Sequence, residues 1–157
     1  MRVEPPSAGP RTAAAARASP TTAPTTAAKV VFDGGRAYDH LRQVVSFGPR
    51  PAGSPAIEKT REYIIGQLKA LGVAVAQQPF DANTPIGKIH MVNLIATIPG
   101  ARTDRVAITG HYDTKLFREF RFVGANDAGS STAFLIESNF APVGMVGIGP
   151  ERSATLL

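Results

Sequence analysis

Apolar positions begin to recur with a period only after residue 30. Tyr38, Leu41 and Val45 fall at helical spacing, and Gly48-Pro49 follows, so residues 35–46 read as a first helix stopped by that pair. The stretch Gly48-Pro49-Arg50-Pro51-Ala52-Gly53 reads as a rigid loop. Ser54 then offers a hydroxyl to the free N–H groups of a first turn, and Pro55 suits the first helical position. A second helix over 55–71 carries Ile57, Ile64, Leu68 and Leu71 as its apolar stripe, and Gly72 stands where a left-handed glycine ends a helix. Residues 73–80 alternate as a strand does, and 81–87 form a turn. Residues 91–98 and 106–109 are almost wholly apolar, which marks strands covered on both faces that pair as central strands in either orientation. A third helix over 129–138 is entered through Gly129-Ser130-Ser131 and has Phe134 and Leu135 as its apolar positions.

The two ends break this rhythm. Residues 1–29 are rich in Ala, Pro, Thr and Ser with almost nothing to bury, so they are expected to form a disordered arm. Residues 138–157 mix glycines with small apolar residues at no period, and form an irregular tail to a domain of 30–137. The 43% hydrophobic content is ordinary for a globular domain.

The net charge of +5 does not imply nucleic-acid binding, because Lys and Arg are scattered singly, with no basic stripe among aromatics. No apolar run approaches the roughly 18 residues of a membrane span. Ala13 to Ala16 is too short for the apolar segment of a signal peptide. Without cysteine, any metal falls to His and carboxylates, which suits a catalytic zinc better than a structural one.

The candidate chemistry lies at 111–127. His111 and Asp113 follow directly on a strand, and ligands of α/β sheets bind at strand carboxyl ends. Asp127 sits in a glycine-rich turn before a helix, where backbone approaches closely and anionic groups are favoured. Spacing alone leaves two readings open: a solvent-exposed histidine at a strand end, or part of a metal site. His40, between polar neighbours on the first helix, reads as exposed, and His90 as a surface residue. Tyr112 reads equally as a half-buried aromatic or a substrate contact.

Residues 108–137, ITGHYDTKLFREFRFVGANDAGSSTAFLIE, resemble the zinc core of the aminopeptidase and glutaminyl cyclase superfamily. The segment 48–80, from GPRPAGSP through LKALGV to QPF, and NLIATI at 93–98 resemble its earlier portion in the same order. Lys115, Leu116-Phe117 and Phe122-Val123-Gly124-Ala125 are similar to the cyclase branch, while Gly129-Ser130-Ser131 leans toward the aminopeptidases.

The resemblance implies an α/β fold: a truncated three-layer α/β/α sandwich with a mixed sheet. It implies Asp127 as a zinc ligand, His111 as a ligand in two-metal relatives but not in single-zinc cyclases, and Asp113 as the carboxylate that orients His111. It also implies a cis peptide after Asp127. The substrate would be a peptide N-terminus, and the reaction that of a glutaminyl-peptide cyclotransferase: pyroglutamate formation with ammonia release. A zinc aminopeptidase is the alternative, and a non-catalytic fragment or interaction module the third. The family's later acidic pair and further His ligand find no match here, so a truncated or frame-shifted reading frame is expected, with zinc weak or absent and little turnover. The family leans toward secreted or periplasmic proteins.

Overall fold

The fold is known from a computed structural model, which describes residues 32–99, 105–138 and 153–156. The expected disordered arm, residues 100–104 and most of the tail lie outside the described residues.

Helix α1 spans Gly34–Ser46 and starts on Asp33, whose carboxylate accepts the N–H groups of Gly35 and Arg36. It ends at Phe47, and Gly48 then turns the chain with φ 85°. Its buried residues are His40 and Val44, not the expected stripe. Tyr38 is exposed, and so His40, expected at the surface, replaces it in the interior. Helix α2, Pro55–Ala70, forms as the sequence dictates: Ser54 accepts from the Ile57 N–H, Pro55 leads, Glu58 and Lys69 complement the helix dipole, and Gly72 leaves at φ 73°.

Strands β1 (Ala74–Thr84) and β2 (Gly87–Ile98) form one long antiparallel hairpin, in register from Ala74↔Thr97 to Thr84↔Gly87. The expected seven-residue turn is thus a two-residue one, and both strands run further. The outer half of the hairpin is largely exposed, with Phe80, Ala82, Ile89 and Met91 along one face and no residue of that half buried beyond Val92. Cross-strand pairs hold it instead: Asp81 with His90 and Lys88, and Gln78 with Asn93.

Strand β3 is Arg105–Ile108. The tail was expected to be irregular, yet Ser153–Leu156 forms strand β4. The sheet order is β1-β2-β4-β3, with β4 antiparallel to β2 and parallel to β3. The expected mixed α/β sheet is therefore present, but its two apolar strands are neighbours of β4 and not of each other.

Helix α3, Ser131–Ser138, follows a wide turn at Ala125–Ser130. Its buried residues are Thr132, Ala133, Ile136, Glu137 and Ser138, where Phe134 and Leu135 were expected to be. Phe134 is exposed along one edge and packs on Phe32. The core joins Ile64 and Leu68 of α2, Val92, Leu94 and Ala96 of β2, and Ile136 of α3. Alternate residues of β2, Asn93 and Thr97, face away and are exposed. Glu137 is fully buried, and it accepts from the Asp33 N–H and from two nitrogens of Arg36, which ties α3 to the start of α1. No helix among the described residues is long and apolar enough to cross a membrane.

Candidate metal and catalytic site

The site begins where β3 ends. Gly110 lets the chain pass close under α3, since a Cβ there would lie 3.1 Å from Leu135 Cδ1. His111 follows, with its carbonyl accepting from Thr132 Oγ1 of α3 at 3.1 Å. Tyr112 turns inward: its hydroxyl donates to the Val92 carbonyl and accepts from Arg61 Nε, so it is a core anchor and not a free substrate contact. That leaves the side chains of His111 and Asp113 on the other side, 59% and 43% exposed.

The second piece is the turn that carries Asp127. Gly124 has φ 53°, and a Cβ on it would fall 2.1 Å from the Asp127 carbonyl oxygen. Only glycine fits so tight a return. The Gly129 N–H closes the turn on the Gly124 carbonyl at 2.9 Å. Asp127 itself has extended backbone, and its peptide bond to Ala128 is cis.

These two pieces bring together the three residues singled out in the sequence. His111 Nδ1 is 3.0 Å from Asp113 Oδ1, and His111 Nε2 is 2.9 Å from Asp127 Oδ1. One imidazole therefore bridges two carboxylates. The Nδ1 contact fixes the ring orientation, as carboxylates do for metal-binding histidines. The Nε2 and Oδ1 atoms are at hydrogen-bond distance, a few tenths of an ångström nearer than the roughly 3.3 Å between two tetrahedral ligands on one zinc, so a small outward shift of either would admit the metal. The donor types and their spacing fit zinc, as two of the three protein ligands that a catalytic zinc takes. No group of three or more metal-binding side chains gathers among the described residues.

Sequence reasoning missed Arg50. It was read as part of a rigid loop, yet its side chain is fully buried beneath the site. Its Nε donates to the Tyr112 carbonyl at 2.8 Å, and its two terminal nitrogens to the Val123 and Gly124 carbonyls at 2.6 and 3.1 Å. Burial pushes the guanidinium below its ordinary pKa, while the charges of Asp113 and Asp127 push it back up. The one available signal was an arginine set between two prolines.

The loop between the two pieces carries an aromatic group. Phe117 stacks on Phe120 with ring centres 4.5 Å apart and meets Phe122 edge-on, with Lys115 Nζ over the Phe117 ring.

The sequence profile of Peptidase family M28 matches residues 93–139. A glutaminyl-peptide cyclotransferase of Drosophila melanogaster is 32% identical over 120 residues, which is 74% of this chain and 33% of its own. The crystal structure of a glutaminyl cyclase from an Acidobacteriales bacterium is 34% identical with a TM-score of 0.71, covering 87% of this chain and 47% of its own. A leucine aminopeptidase precursor from Bacteroides thetaiotaomicron is 26% identical with a TM-score of 0.69, covering 80% and 46%. The chain spans about a third of the length of the curated relatives it matches.

Proposed function

This chain belongs to the zinc aminopeptidase and glutaminyl cyclase superfamily, and on that premise we propose that it carries part of a zinc site for processing peptide N-termini, of the glutaminyl-peptide cyclotransferase type. The observation that supports this most is the bridging of His111 between Asp113 and Asp127. In this reading Asp127 binds the metal and Asp113 positions His111, which joins the ligands only in the two-metal reading below. Zinc, when bound, would polarise the side-chain amide of an N-terminal glutamine so that the peptide's own amine closes the ring.

Each side chain has a definable part. Asp113 would hold the proton on His111 Nδ1 when Nε2 faces a metal. Asp127 supplies an anionic donor. The glycine turn beneath it keeps that carboxylate at the strand end where substrate would lie. The three side chains are engaged with one another, so the proton that moves from amine to departing ammonia travels on a group outside the trio. Two donors hold zinc less tightly than three, so isothermal titration of the 157-residue chain is expected to give weak affinity, well above micromolar.

A second reading, the aminopeptidase, is favoured by one contact. His111 Nε2 faces Asp127 directly, as it would if both ligated metal in a two-metal site. A chimera separates the two readings. Residues 108–137 of this chain replace the matching segment of a glutaminyl cyclase relative. Ammonia release from a Gln-Phe peptide with one bound zinc per protein supports the cyclase. Two zincs and hydrolysis of leucine p-nitroanilide instead point to the peptidase, and a chimera that folds but does neither overturns both.

A further inference from the structure

We propose that Arg50 is a positioning residue, a single buried guanidinium that sets the spacing between the His111–Asp113 segment and the Asp127 turn. The proposal rests on the zinc-site reading for its purpose but not for its geometry. Arg50 precedes α2 and belongs to neither site segment. Its three side-chain bonds go to Tyr112 on one segment and to Val123 and Gly124 on the other. Its own backbone also pairs with Thr114, donating to Oγ1 at 3.0 Å and accepting the Thr114 N–H at 3.2 Å. These contacts close the neck of the loop that holds Phe117, Phe120 and Phe122. Movement of that exposed loop is therefore cut off from the two donors.

The choice of residue is informative. Burying a cation is costly, and an apolar side chain of similar volume would hold a core at least as well. Among the described residues Arg50 forms no salt bridge with a carboxylate; its bonds go to carbonyl groups and one hydroxyl. What an apolar residue could not do is grip three carbonyls on two separate segments at once. Nor could lysine, whose compact ammonium lacks the planar fork. The nearby negative charges, Asp113 and Asp127, are the two site carboxylates, and they favour the buried cation. The grip lies directly under the bridged imidazole: Tyr112 sits between His111 and Asp113, and Gly124 is three residues before Asp127.

The test is nuclear magnetic resonance on the metal-free 157-residue chain. In the wild type, the Arg50 Nε–H is expected to exchange slowly and its terminal nitrogens to give separate signals. Signals averaged like those of a surface arginine overturn the proposal. In Arg50→Lys, amide exchange within residues 111–114 and 123–127 is expected to rise at least tenfold, with the β1–β2 hairpin and α2 unchanged. Unchanged exchange at the site, or a uniform rise everywhere, means a merely structural role and also overturns it. Should Arg50→Lys fail to fold, Thr114→Val removes one arm of the same grip and is read in the same way. A cobalt titration is run alongside, with affinity expected to fall about tenfold in Arg50→Lys. A wild type that takes no cobalt counts against the zinc-site reading, while the exchange pattern still decides the role of Arg50.

Discussion

The three histidines occupy three different settings, and chemistry follows the setting. His90 is exposed and shares Asp81 with Lys88 on the hairpin, where both partners hold the Asp81 carboxyl below its ordinary range. His111 bridges the site carboxylates. His40 is 8% exposed, with Nδ1 2.6 Å from the Tyr63 hydroxyl. Burial pushes its pKa below the usual value near 6.5, outweighing the upward pull of Glu137 and Asp39. The unfolded chain then takes up a proton more readily than the fold does. Stability from this residue is full above about pH 6.5 and is lost as pH falls through that value toward the lower folded one. His40→Gln keeps an acceptor for Tyr63 without titrating. Thermal midpoints of the two proteins are expected to run parallel above pH 7.5, with the wild type falling more steeply below pH 6.5. Matched slopes across pH 5–8 would remove His40 from the acid response. In the sequence, spacing and the glycine turn left the site trio open between two readings, and the resemblance of 108–137 to the superfamily's zinc core singled it out. Arg50 was not legible, because its partners lie 62 to 74 residues away.

At the scale of elements, what the sequence made plain was governed by local rules, and what it hid depended on partners. Both long helices began and ended as expected because their caps are local. The hairpin was underread because its outer strands bury little and are held by pairs across the ladder. On α3, Glu137 is fully buried, and Arg36 and the start of α1 satisfy it. The turn before α3 makes the sharpest element-scale prediction. Ala at Gly124 would need a left-handed backbone and would drive its methyl into the Asp127 carbonyl and within 2.8 Å of Thr114 Cγ2. The turn must open, and with it the Asp127 side chain leaves His111. Gly124→Ala is expected to cost about 1–3 kcal/mol, in the range of a strained backbone position. Loss of a nuclear Overhauser contact between His111 and Asp127, with the hairpin spectrum intact, is the expected signature. A variant with the wild-type midpoint and contact would mean that the turn tolerates a side chain.

On the scale of the whole molecule, the site depends on a strand at the far end of the chain. In the order β1-β2-β4-β3, strand β4 is all that links β3 to the rest of the sheet, and β3 delivers His111. The glycine-rich run before β4 gave no periodicity from which a strand could be read, and four residues are too few to show one alone. Pairing on both edges is what defines it: Thr155 sits opposite Thr97 on one side and Ala107 on the other. A strand bonded on both edges has no place for a residue lacking an N–H. Thr155→Pro is therefore expected to release β4, at a cost of about 1–3 kcal/mol from the ladder groups left unpaired. The loss should not be uniform. With β4 gone, β3 loses its partner, so exchange at the amides of Val106, Ala107 and Ile108 should rise together with that at His111. The hairpin register from Ala74↔Thr97 outward to Thr84↔Gly87 is complete in itself and should stay protected. Equal protection of the β3 amides in both proteins would place the tail outside the sheet and leave β3 held by α3 alone. The pattern expected here makes strand β4 a condition for the geometry of His111 and Asp127, which lie 42 and 26 residues before its first residue, a dependence that no motif around His111 discloses.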